Sequence, residues 1–297
     1  MNRTRRHGGL GAAFLGLQSA LQWRLWLLWV LATLVPTLFV ATPLWTLLGQ
    51  QFGASVHAPG IAAGRDLPLL LQGLGEMSTQ MGWIVGGLGA STVLMLLLSP
   101  WLTGMVVASM RAGRTLGFGE LMRGGLSEYW RLLRMLVWSA LPLGLALAVG
   151  AGVMGALEHR SEGAVLASEV EATTRAGLIV VAVLFVLAHA SIEAGRGWLG
   201  ADLALRSGVK AWWRGLKLLL RRPLATLLVY LVASVAGYGL ALLFAWLRLR
   251  FDGPGAGAVL LAFVAAQGMV AMLAFGRIAR LYGLGALAAD RMHRRMN

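Results

Sequence analysis

His189 and Glu193 stand four residues apart inside an otherwise apolar run. At that spacing they share one face of a helix. A histidine and a carboxylate placed so can relay a proton or hold a cation, and ionisable groups within a membrane segment point to function by default. They can equally belong to a structural ion pair. Glu193 occupies the repeat position filled by Arg111 one unit earlier. A symmetric arrangement would therefore turn Glu193 toward Arg111 or toward another arginine of a Gly-Arg pair. The ion pair takes precedence over the proton-handling or cation-handling site. A charge swap separates them: Glu193→Arg should impair folding, and adding Arg111→Glu should restore it.

Other chemistry finds little support. The chain has no Gly-x-Ser-x-Gly, no His-Glu-x-x-His and no phosphate-cradling glycine loop with Lys-Ser/Thr. It has no cysteine, hence no disulfide framework or thiolate metal site. His7, His57, His159 and His293 fall in connecting or terminal segments, as do Asp66, Glu76, Glu158, Glu162, Glu169 and Glu171. Such scattered carboxylates are ordinarily a solvated rim, with a weak divalent-metal surface as the alternative. The expectation is no enzyme, no cofactor and no metal centre.

The basic residues are more orderly. Lys210, Arg214, Lys217 and Arg221 recur at i, i+4, i+7 and i+11, while Val209, Trp212, Trp213, Leu216, Leu219 and Leu220 cover most of the remaining surface. Arg123, Ser127, Arg131 and Arg134 form a similar stripe. A basic stripe opposite tryptophan and leucine suits a helix lying in the membrane interface against anionic headgroups. The simpler reading is a positive collar that orients the following span. The candidate anionic-lipid contacts are Arg123, Arg131, Arg134, Lys210, Arg214, Lys217 and Arg221.

Six apolar stretches must position these residues, at about 25–48, 83–110, 135–157, 176–195, 223–247 and 256–279. Each is near the ~20 residues that cross a bilayer as a helix, and lipid leaves the backbone no other way to satisfy its polar groups. Hydrophobic residues make up 58% and charged residues 13%, which excludes an ordinary soluble protein. The predicted class is an all-α, polytopic membrane protein with six transmembrane helices. Of 26 basic residues, all but Arg65, Arg160, Arg175, Arg248 and Arg250 fall on one side of such a bundle. The positive-inside rule then places both termini in the cytoplasm. The net charge of +14 belongs to those cytoplasmic faces and calls for no nucleic acid. The arginine-rich, Ala-, Gly- and Leu-rich composition suggests a bacterial inner membrane. The first apolar run is too long for a signal peptide and reads as a retained helix, bent or ended by Pro36 and Pro43.

Internal repetition organises the rest. Arg111-Ala112-Gly113-Arg114, Glu193-Ala194-Gly195-Arg196 and Ala274-Phe275-Gly276-Arg277 each place a Gly-Arg pair at the end of an even-numbered span. There glycine could close the helix in a left-handed turn. The block from Gly125 to Arg134 aligns with that from Gly208 to Lys217, and Trp23-Arg24 echoes it faintly. The reading is one membrane domain, 1–297, of three hairpin repeats at about 10–115, 116–197 and 198–285, each with a cytoplasmic interfacial amphipathic helix. Small residues recur every four positions at Gly82, Gly86 and Ala90, at Gly144, Ala148 and Gly152, and at Ala233, Gly237 and Ala241, which predicts close helix packing. Pro100 and Pro142 should kink their spans. The longest outer connection, about 49–82, carries a short amphipathic helix near 64–77.

With these segments in place, the layout and the stretch TGMVVASMRAGRTLGFGELMRGG resemble bacterial inner-membrane proteins of the YciC type. That group is joined with the membrane domain of some glycerophosphoryl diester phosphodiesterases, whose end ARLYGLGALAADR is similar to. The resemblance implies a six-helix membrane module connected with lipid or envelope upkeep. The group has no settled catalytic residues to carry over, and its phosphodiesterase activity does not transfer because this sequence has no counterpart of the soluble barrel. Two functions follow: a non-enzymatic envelope module that binds anionic lipid, a membrane-protein partner or a second copy of itself, or a small transporter or permease subunit with a path along the pseudo-symmetry axis.

Overall fold

The computed structural model describes residues 8–62, 65–76, 81–161, 167–251 and 255–296. Arg3, Arg5, Arg6, His7, Gly64, Met77 and Glu162 lie outside the described residues, as do the side chains of Glu76, Arg294 and Arg295. Among the described residues ten helices follow one another: α1 (Gly9–Ser19), α2 (Trp23–Phe52), α3 (Ala58–Ala62), α4 (Leu67–Glu76), α5 (Met81–Ala112), α6 (Phe118–Ser161), α7 (Ala167–Ala201), α8 (Gly208–Arg221), α9 (Pro223–Arg248) and α10 (Ala256–Met296). Among the described residues there is no strand.

Six of these helices, α2, α5, α6, α7, α9 and α10, are long and apolar enough to cross a membrane. The helices are 26 to 43 residues long over the stretches that contain these spans, and their most apolar windows have mean hydropathy between 1.9 and 2.2. At 1.5 Å per residue even the shortest outreaches the ~30 Å hydrocarbon core. Large apolar side chains stand exposed along them, such as Val137, Leu145, Ile179, Leu242 and Leu260. A water-soluble surface would not carry so many. In lipid they need no partner.

Prolines act differently from one helix to another. α2 runs unbroken through Pro36 and Pro43, as α5 does through Pro100 and α6 through Pro142. Pro223 instead begins α9, and Arg222 before it leaves helical geometry at φ −139°, ψ 57°. A proline disfavours helix at the preceding residue and suits the first helical position. The basic segment at 208–221 is therefore a helix of its own, α8. In the preceding unit Ala140 aligns with Pro223, and there the basic segment is simply the first part of the 44-residue α6. The two aligned blocks thus differ in local architecture.

The chain packs as two compact units. One comprises the described residues of Met1–Leu21, Thr103–Ser234 and Ile278–Asn297, the other those of Gln22–Leu102 and Val235–Arg277. Each draws on more than one of the expected repeats. The centre of the first is the end of α7: every residue from 191 to 200 is buried. Around it pack Leu132 and Met135 of α6, Ala211 and Leu218 of α8, Leu284, Leu287 and Ala288 of α10, and Ala12 and Ala13 of α1. Helices so crowded must meet backbone to backbone. A Cβ on Gly195 would lie 2.9 Å from the Trp212 Cα, and one on Gly215 would lie 2.5 Å from the Ser191 carbonyl oxygen. This explains Gly195. It sits within α7 and ends no helix, as Gly276 sits within α10. Only Gly113, at φ +63°, makes the left-handed turn expected of the three Gly-Arg pairs, closing α5.

In the second unit Trp26 meets Phe275 edge to face at 5.8 Å, and Arg277 lies over the Trp29 ring while donating to Ser99 Oγ at 3.1 Å. Of the three small-residue stripes, Ala233, Gly237 and Ala241 are buried, with a Cβ on Gly237 reaching 2.6 Å from the Gly276 Cα. The other two are corrected: Gly82, Gly86, Gly144 and Gly152 are exposed and face open space among the described residues. Spacing marks a face that can pack closely, and only a partner helix makes it do so.

Candidate functional site

Glu193 lies at the centre of the first unit with no exposed surface. Its Oε1 accepts from Arg196 Nη1 at 2.5 Å, and its Oε2 stands 3.9 Å from Arg280 Nε. Arg196 and Arg280 are themselves buried, at 7% and 8% exposure. Of the two expected pairings, with Arg111 or with another Gly-Arg arginine, the structure has the second, and the pairing with Arg111 is corrected. Arg196 is one helical turn along α7, on the face that already carries Glu193, and it belongs to a Gly-Arg pair. Arg280 arrives from α10, where it also donates to Ser234 Oγ at 3.0 Å and covers the Tyr230 ring.

His189 stands at the edge of this cluster. Its Nε2 is 3.9 Å from Glu193 Oε1, its Nδ1 shares a 2.8 Å hydrogen bond with the Tyr230 hydroxyl, and its ring stacks on Phe185. One carboxylate between two guanidinium groups leaves no surplus negative charge for a metal or substrate cation. The geometry suits a structural clamp between α7 and α10.

Arg111 belongs to a second clamp of the same composition. It binds Glu128 of α6 and the Leu199 carbonyl in the last turn of α7, while Arg131 donates to Glu128 from the other side at 3.1 Å. A helix leaves its last carbonyls without intrahelical donors, and a guanidinium satisfies both their lone pairs and the dipole. Arg291 of α10 likewise ties its helix to α8, donating to the Lys217 carbonyl at 2.9 Å. Arg280, Tyr230, Ser234 and Arg291 were not singled out from the sequence. Arg196 was legible as the i+3 neighbour of Glu193. Arg280 and Arg291 carried no sequence signal beyond being basic residues in a tail that reads as cytoplasmic, whereas Leu281, Leu284, Leu287 and Ala288 of that tail are core.

The seven candidate lipid contacts divide. Arg131 is tied to Glu128, and Arg214 to Asp202 at 2.6 Å, with its guanidinium over Trp198. Lys210 and Arg221 are exposed at opposite ends of α8, and Lys217 Nζ rests 5.0 Å from the centre of the half-exposed Trp213 ring. Arg123 and Arg134 are exposed on α6, their Nε atoms donating to the Gly119 and Trp130 carbonyls. Trp130 and Leu220 project beside them at 69% and 70% exposure. Ahead of the apolar stretch of α6, Glu120 is pushed down to about 2 by hydrogen bonds from Arg114 and the Gly117 amide, with the charges of Arg114 and Arg123 adding to the effect.

Among the described residues no three of His, Cys, Asp and Glu converge as metal ligands would. Fold and site together define a multi-pass α-helical membrane protein whose buried carboxylates Glu128 and Glu193 are each held between two arginines, with further basic residues exposed at the periphery. Compared with known proteins, the chain matches no family model, and no curated protein or solved structure is similar to it. The resemblance to the YciC type therefore rests on the quoted segments alone.

Proposed function

We propose that this is a non-enzymatic module of a bacterial inner membrane that binds anionic lipid through the basic residues of α8 and of the first part of α6, with both termini cytoplasmic. The observation that carries this reading is the division of the basic side chains. Arg111, Arg131, Arg196 and Arg280 are turned inward on carboxylates as clamps and Arg114 and Arg175 pair with carboxylates at the surface, whereas Lys210, Lys217, Arg221 and Arg134 form no ion pair among the described residues and stand beside exposed Trp130, Trp213 and Leu220. Cations and indole rings at the end of an apolar span match the headgroup layer, where each added Lys or Arg is worth roughly 1 kcal/mol against an anionic surface. The transporter reading has less support, since Glu193 is enclosed by two arginines. Native mass spectrometry of the chain titrated with phosphatidylglycerol or phosphatidylcholine tests the proposal. The chain should prefer the anionic lipid, and Lys210→Gln, Lys217→Gln and Arg221→Gln together should weaken that preference. An unchanged preference would refute the role of α8.

A further inference from the structure

We infer that the groove between α6 and the N-terminus of α8 holds one anionic glycerophospholipid, its phosphate at Arg134 and Arg206 and an acyl chain along Val137 and Leu141. This rests on the lipid-binding reading above and narrows it to one molecule and one place. The groove is a cavity of about 610 Å³, lined on one side by α6 and on the other by the connection from α7 to α8 and the first residues of α8. Its two ends differ in chemistry. At one stand Arg134, Arg206 and Ser207; at the other Val137, Ala140 and Leu141 continue into the apolar stretch of α6.

Neither Arg134 nor Arg206 pairs with a carboxylate among the described residues, and both are exposed. Between them α8 begins. Ser207 caps it by accepting from the Lys210 amide, which leaves the first-turn amides of Gly208 and Val209 without intrahelical acceptors. Gly208 can stand there because a Cβ would come within 3.2 Å of the Met135 backbone. The glycine therefore lets the positive end of α8 lie against α6 at Met135, the residue next to Arg134. Two guanidinium groups and a helix N-terminus converge on negative charge.

The apolar wall begins within one turn of the same arginines, and Val137 and Leu141 are 70% and 56% exposed. A free phosphate would leave that wall empty, whereas a phospholipid fills both ends at once. Phosphatidylethanolamine would bring its ammonium group toward two guanidinium groups, so the net-anionic headgroup is favoured. In the sequence Arg134 belongs to a stripe and Arg206 only to the basic residues of the cytoplasmic side; their meeting at one groove follows from the fold.

The test is native mass spectrometry of the full chain titrated separately with phosphatidylglycerol, phosphatidylethanolamine and inorganic phosphate. One phosphatidylglycerol per chain should survive at the lowest lipid ratio, resisting excess phosphate. Arg134→Gln with Arg206→Gln should weaken it by about tenfold or more. Val137→Trp, which fills the groove from an exposed site, should do the same while leaving both arginines in place. The α8 variant with Lys210, Lys217 and Arg221 changed to Gln should keep this single lipid. Retention by both groove variants, equal retention of phosphatidylethanolamine, or displacement by phosphate would each overturn the inference. Loss in the α8 variant alone would overturn it while sparing the broader lipid-binding reading, and no retained lipid in any chain would sink both.

Discussion

Replacing Glu193 with glutamine keeps the side chain's size and removes its charge. The carboxylate is fully buried, 2.5 Å from one guanidinium group and 3.9 Å from another, and both arginines are over nine-tenths buried. The change strands two cations where water cannot compensate them. Removing one partner of a buried pair costs about 3–5 kcal/mol. The control is Glu171→Gln, whose partner Arg175 lies at 2.7 Å but with both side chains 72% exposed; there the loss should be at most about 0.5 kcal/mol. Thermal unfolding in mild detergent, followed by the fluorescence of the 12 tryptophans, compares the two. Adding Arg196→Met to Glu193→Gln removes one stranded charge and should recover part of the loss. Adding Arg111→Glu to Glu193→Arg should restore nothing, because Arg111 is engaged with Glu128 and Leu199. A cost for Glu193→Gln no larger than that of the exposed control would refute the clamp.

Other outcomes follow from the same geometry. Gly215→Leu forces atoms into the α7 backbone and should destabilise by about 3 kcal/mol or abolish folding, whereas Gly144→Leu on the open face of α6 should be near neutral; unfolding midpoints distinguish them. Pro223→Ala should let α8 continue into α9, and spin-label distances between positions 210 and 235 would lengthen if it does. Glu120, held down to about 2, stabilises its contact with Arg114 at pH values above the ordinary carboxylate range. That contribution should be lost as pH falls toward about 2, and Arg114→Gln should raise the titration seen by infrared spectroscopy. The cysteine-free chain also permits a direct topology test. Ser127→Cys should resist an impermeant maleimide applied to intact cells while Ser168→Cys reacts, and the reverse pattern would invert the proposed orientation.

Composition and hydropathy were enough to read the all-α class and the six spans, because lipid allows the backbone so few conformations. The i, i+3 and i, i+4 relations of Glu193 with Arg196 and His189 were equally legible, since they are properties of any helix. The break at Pro223, against Ala140 in the aligned block, was present in the sequence as well, as a missing amide. Partners across helices were not. Three small-residue stripes look alike in one dimension, yet only that of α9 is buried, and three Gly-Arg pairs look alike, yet only Gly113 turns the chain. Arg111 and Glu128, and Glu193 and Arg280, are joined by packing between helices, and Arg134 and Arg206 are brought to one groove by the approach of the α7–α8 connection to α6, none of which a local pattern encodes. A charge's meaning depends on what lies beside it, and in this protein the nearest charge often comes from another helix.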